Sequence, residues 1–98
     1  MALDISSRAI NPTAEEAYWR QTFMNEPYYQ ADLNYDDYSP AYRVGYTGPV
    51  RREGDFKSLE SMLQQDWQKV RGRSRLSWAQ ARQATRAAWD HATASSGN

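Results

Sequence analysis

The chain has no cysteine and a single histidine among its 98 residues. Disulfides and thiolate chemistry are therefore excluded, and His91 cannot build a histidine metal cluster alone. Leucine, isoleucine, valine and phenylalanine are scarce. No apolar run approaches the length that spans a bilayer. The N-terminus lacks the basic-then-apolar pattern of a secretory signal, so the expected location is cytoplasmic. There is no glycine-rich phosphate loop, no nucleophile beside a base and no carboxylate pair with anything to raise one pKa. The expectation is a non-enzymatic protein without metal or cofactor.

What the chain has instead is aromatic residues. Four tryptophans and seven tyrosines compensate for the missing aliphatics, because each buried aromatic removes about 150–250 Å² from water. Together with a formal net charge of zero, they argue for a folded domain rather than a disordered tract. That neutrality hides a division. Residues 1–50 hold three basic and seven acidic side chains, and residues 51–98 hold nine and five. Lys69, Arg71, Arg73, Arg75, Arg82 and Arg86 form a basic run with no acid between them. Either the two halves face each other within one fold, or the acidic half of one copy meets the basic half of another.

The stretch Ser77–Ala92 organises the rest. Wound as a helix, Trp78, Ala81, Thr85, Ala88, Trp89 and Ala92 fall within roughly 100° of arc. The alanines admit a neighbour's backbone and the tryptophans supply area. Ser77 and Gln80 can form a capping box at its start. The preceding stretch reads as a helix from Asp55 to Arg71, with Asp55 as N-cap, Gly72 as terminator, and Phe56, Leu59, Leu63, Trp67 and Val70 as its apolar stripe. Each helix has aromatic anchors eleven residues apart, about three turns. The short Arg73–Leu76 connector makes them antiparallel neighbours. A further helix spans Thr13–Asn25, with Thr13 and Glu16 as capping box and Pro27 beyond its end.

Between Pro27 and Val50 lie six tyrosines, turn-forming Asp32, Asn34, Asp36 and Asp37, and two prolines. This segment reads as largely irregular, with a short helix at Pro40–Val44 ended by Gly45. It is expected to lie across the helix pair, rings inward and hydroxyls at the rim. Asp32, Asn34 and Asp36 match the first ligands of a calcium loop. The match then fails, because Asp37 replaces the required glycine and Arg43 stands where the closing glutamate belongs.

The fold class expected is all-α: residues 13–92 as a single helical domain of three main helices and a short extra one, with flexible residues 1–12 and 93–98. Six tyrosines exceed what one side of a thin domain buries easily, and a surplus forms a contact surface. The interaction surface read from the sequence is Tyr35, Asp36, Asp37, Tyr38, Tyr42, Arg43 and Tyr46, with Arg75, Arg82 and Arg86 opposite. Asp36 and Asp37 are expected to meet Arg82 and Arg86. The partner would be a second copy of the chain or another protein, and no membrane is implied. The alternative is a nucleic-acid binder using the basic run of residues 69–86. Neutrality and a pI near 6.6 do not favour it. For His91, the simplest reading is a cation complementing the end of the last helix.

The segment Tyr35-Asp-Asp-Tyr38-Ser-Pro40-Ala-Tyr42-Arg43-Val-Gly45, followed by Asp66-Trp67 and Ala84-Thr85-Arg86-Ala-Ala-Trp89, resembles a group of uncharacterised short bacterial proteins with a YDDYxPAYRxG segment and an ATRxAW helix. The resemblance covers about Glu15 to Trp89, with Val44 where related chains tend to have an aromatic. It implies a bacterial cytoplasmic protein, loosely associated with stress response, with no catalytic residues to carry over.

Overall fold

A computed structural model describes residues 10–96. Four α-helices follow one another: α1 (Pro12–Thr22), extended by a 3₁₀ turn at Phe23–Asn25, α2 (Tyr35–Arg51), α3 (Phe56–Val70) and α4 (Trp78–Ser96). There is no strand among the described residues, and the fold is all-α. The expected flexible N-terminus lies mostly outside the described residues, whereas α4 continues through the expected start of the tail to Ser96.

Local chemistry explains most helix ends. Asp55 caps α3 by accepting from the Ser58 N–H at 2.8 Å, and Gly72 beyond it adopts φ +54°, the left-handed conformation glycine tolerates. Ser77 and Gln80 cap α4 reciprocally, at 3.3 and 2.9 Å. At α1 the expected cap is corrected. Asn11 accepts from the Ala14 N–H at 3.1 Å, and Pro12 takes the first helical position, where its missing N–H costs nothing. Glu16 pairs instead with Arg20 at 3.3 Å.

The largest departure from the sequence reading is α2. Tyr35–Arg51 is one continuous helix, with Pro40 and Pro49 inside it, rather than an irregular strip with a short helix at Pro40–Val44. Two interior prolines cost about 3 kcal/mol each. Burial outweighs that cost. Tyr35, Tyr38, Tyr42 and Tyr46 all become buried, and at about 25 cal/mol per Å² each ring is worth up to about 4–6 kcal/mol. The helix begins where Asp37 accepts from the Asn34 N–H at 3.1 Å.

Helix α2 is also the element that α4 is built to receive. The alanine seam of α4 is buried as expected, through Ala81, Ala84, Thr85, Ala88 and Ala92. Its main neighbour is α2 rather than α3. At Gly45 a side chain would run into the Thr85 carbonyl and the Ala88 methyl, and at Gly48 it would meet the Trp89 ring at 2.6 Å. Helix α3 touches α4 through rings at both ends: Phe56 lies 5.9 Å from Trp89, and Trp67 lies 5.6 Å from Trp78. This pairing of first with last makes the two helices antiparallel, as the short connector predicts.

Helix α1 closes the other side. Trp19 stacks on Tyr42 at 4.5 Å, and Phe23 packs edge-on to Tyr29 and Tyr35. The segment between α1 and α2 is tied down by phenols. Tyr38 accepts from the Gln30 N–H at 3.0 Å, and the Tyr28 and Tyr42 hydroxyls bond each other at 2.7 Å. His91 joins the ends of the chain: its Nδ1 lies 3.1 Å from Glu15 Oε1, and its ring stacks on Tyr18 at 4.0 Å. It is thus a side-chain bridge from α4 to α1, beyond any complement to its own helix.

Candidate functional site

The structure separates the expected interaction surface into two groups. Tyr35, Tyr38, Tyr42 and Tyr46 belong to the hydrophobic core and present no surface to a partner. Burial raises the phenols of Tyr28 and Tyr42 far above their ordinary value. They are packing groups, and this part of the sequence reading is corrected. Asp36 and Arg43 remain exposed on α2.

The charged pairs also differ from those expected. Asp37 is buried and meets Arg75, not Arg82 or Arg86, with Nη2 2.7 Å from Oδ2. It also accepts from the Arg75 backbone N–H at 2.9 Å. These bonds, led by the guanidinium, hold its carboxyl down at about 2. Arg82 pairs with Glu60 of α3, whose carboxyl it lowers, and Arg86 pairs with Asp90 one turn on at 3.2 Å. Much of the basic run therefore meets acids of its own chain. Of the two sequence readings of the charge division, Asp37–Arg75 realises the one in which the halves face each other within a single fold.

Three of the described cations without an acid partner border a single cleft, whereas Lys57, Arg71 and Arg73 lie outside it. Arg43, Thr47 and Arg51 recur every four residues and lie along one face of α2. Across from them, Lys69 and Val70 end α3, and the two helices enclose a cleft of about 250 Å³. Val44 and Gly48 complete its α2 wall. Its single acid, Asp66, is gripped by Arg52 from the side, through Nη2 at 3.0 Å and Nε at 3.3 Å. Among the described residues, Arg43, Arg51 and Lys69 make no ion pair. The Arg43 guanidinium beside Tyr46 offsets part of the rise that burial imposes on that phenol. Arg51 and Lys69 occupy last helical turns, where a cation suits the negative end of the dipole. That explains their tolerance one by one. It does not explain why three cations border one cavity while its only carboxylate is neutralised by a fourth.

Of this cleft, the sequence reading named Arg43 as a contact residue and Lys69 in the basic run. It gave Arg51 no role, leaving it between the tyrosine-rich segment and the helix that starts at Asp55. The spacing of 43, 47 and 51 was visible, but it marks one face only if the helix continues past Gly45 and Pro49. No group of three or more side chains that could hold a metal ion occurs among the described residues. No helix of the described residues is long and apolar enough to cross a membrane. Comparison with family models, curated proteins and solved structures gives no match in any of the three.

Proposed function

We propose that the chain is a small non-enzymatic interaction protein that presents the α2–α3 cleft to an acidic segment of another protein. The observation that carries this reading is the convergence of Arg43, Arg51 and Lys69 on one cavity without acid partners. Arginine beside a cleft with apolar walls is a composition that enriches binding hot spots. The bacterial, cytoplasmic and stress-associated setting is part of the proposal and rests on the motif resemblance.

A second copy is the less suitable occupant. The described acids that make no ion pair are Glu26, Asp32 and Asp36 around the start of α2 and Glu53 and Asp55 after its end. None of them lines the cleft that Arg43, Arg51 and Lys69 border. Pairing the acids at the start of α2 with the cleft between copies is head-to-tail and leaves an open chain unless the rotation closes.

Fluorescence anisotropy with a labelled peptide of alternating glutamate and leucine tests the reading, alongside sedimentation of the protein over a range of concentrations. The expected result is a monomer throughout, with peptide binding lost in the Arg51→Glu, Lys69→Glu double variant. Undiminished binding by that variant removes the cleft from the account. Mass that grows with concentration in the wild type alone makes the occupant a second copy. A DNA oligonucleotide that binds with a steep log–log salt slope replaces the proposal with the nucleic-acid alternative.

A further inference from the structure

We infer that the α2–α3 cleft is a site for a phosphate monoester, with Arg43, Arg51 and Lys69 contacting the phosphate oxygens and the valines flanking the ester carbon. The inference rests on the reading of the cleft as the ligand-facing surface and specifies the group recognised there.

Charge is the first argument. Three cations border the cavity, and Arg52 already neutralises Asp66. A single carboxylate would satisfy one of them. A phosphate monoester carries a charge of about −1.5 to −2 at pH 7 and offers three strong acceptor oxygens. Two of the three cations are arginines, whose planar donor forks match phosphate oxygens two at a time.

Donor chemistry is the second. The Thr47 hydroxyl gives its proton to the Arg43 carbonyl at 2.6 Å, so the only hydroxyl in the lining presents lone pairs. The side-chain donors left to face a ligand are those of the three cations, so a ligand is held there through oxygens that accept from guanidinium and ammonium groups.

Shape is the third. A volume of about 250 Å³ lies just below the range of about 300–1,000 Å³ typical of pockets for drug-sized ligands. That holds a charged group and a short organic stem rather than a large ring system. Val44 and Val70 supply apolar wall for the stem. Gly48 adds no side chain to the cavity, because the direction a Cβ would take is filled by Trp89.

The test is a titration of the ¹⁵N-labelled full chain by NMR at constant ionic strength. The probes are glycerol 3-phosphate, a phosphoserine tetrapeptide, its serine and glutamate counterparts, and a thymidine oligonucleotide without terminal phosphate. Both monoesters should shift the amides of Thr47, Gly48 and Val70 and saturate at concentrations at least tenfold below the glutamate tetrapeptide. Arg43→Gln with Lys69→Gln should weaken them at least tenfold, and Lys57→Gln with Arg73→Gln, outside the cleft, should not. The order of the two monoesters assigns the source: a tighter phosphopeptide means a phosphorylated side chain, and equal or tighter glycerol 3-phosphate means a small metabolite. Glutamate peptide binding as tightly as phosphoserine overturns the monoester while leaving the cleft as an acidic-partner surface. Oligonucleotide binding as tight per phosphate overturns it in favour of phosphodiesters. If no probe shifts the cleft amides, the inference and the reading beneath it both fall.

Discussion

The hydroxyl of Thr85 donates to the carbonyl oxygen of Ala41 at 3.0 Å, with both residues fully buried. Polar groups that deep need a hydrogen-bond partner, and a threonine hydroxyl of one helix reaches a backbone carbonyl of the other only where the two lie close together. Gly45, one turn beyond Ala41, leaves the room that lets α2 and α4 approach there.

Gly45→Ala tests that approach. Alanine is a better helix former than glycine by about 1 kcal/mol, so an exposed site would be stabilised. Here the added methyl meets the Thr85 carbonyl and Ala88, and overpacking should win, for a net loss of about 1–2 kcal/mol. Urea denaturation measures it; a midpoint equal to or above wild type contradicts the close approach.

Trp89→Ala should cost about 3–5 kcal/mol, a large part of the roughly 5–15 kcal/mol that stabilises a typical domain. Its ring packs against the open face of Gly48 and the edge of Phe56. An unchanged thermal melt removes Trp89 from the core.

The buried Asp37 predicts an acid limb in stability. Its carboxyl is held near 2 by Arg75 in the folded chain and returns to about 3.9 on unfolding. The stabilisation is complete above pH 4 and is lost as pH falls toward 2. Asp37→Asn should lower stability at neutral pH by about 2 kcal/mol and flatten the dependence between pH 4 and 2. A variant whose pH profile parallels wild type through that window excludes the pair as its cause.

Burial raises the Tyr28 and Tyr42 phenols, with the bond between them adding to the rise at Tyr28. Their contribution is present below pH 10 and is lost as pH climbs through the raised values. An absorbance titration should therefore show these two phenols ionising only with unfolding. Tyr28→Phe leaves the Tyr42 hydroxyl buried without that partner and should cost about 1–3 kcal/mol. Early ionisation of all seven tyrosines would contradict the buried pair.

Helices with ordinary punctuation were legible in the sequence. Asp55, Gly72, Ser77 and Gln80 act as their types predict, and the stripe from Phe56 to Trp67 is buried as spaced. Helix α2 was not, because prolines and glycines read locally as breaks, whereas its reason for being helical is remote. The glycines complement an alanine seam some forty residues later, and Tyr35, Tyr38, Tyr42 and Tyr46 follow a helical spacing of three, four and four that turn signals obscured. The cleft was lost with it, since Arg43 and Arg51 share a face only on the unbroken helix. Charge pairing was equally non-local. Composition announced that acids would meet bases, but the choice of Arg75 for Asp37 depends on where the α3–α4 connector passes the start of α2.

The two prolines within α2 also bear on how the molecule assembles. A segment that lacks two backbone donors and carries two interior glycines has little tendency to coil by itself in water. It acquires its shape by docking into the groove offered by the C-terminal helix. Its helical state therefore depends on residues some forty positions later in the sequence rather than on its own local preference. Its tyrosine rings meet Trp19 and Phe23 on one side, and its glycines meet the alanine seam on the other.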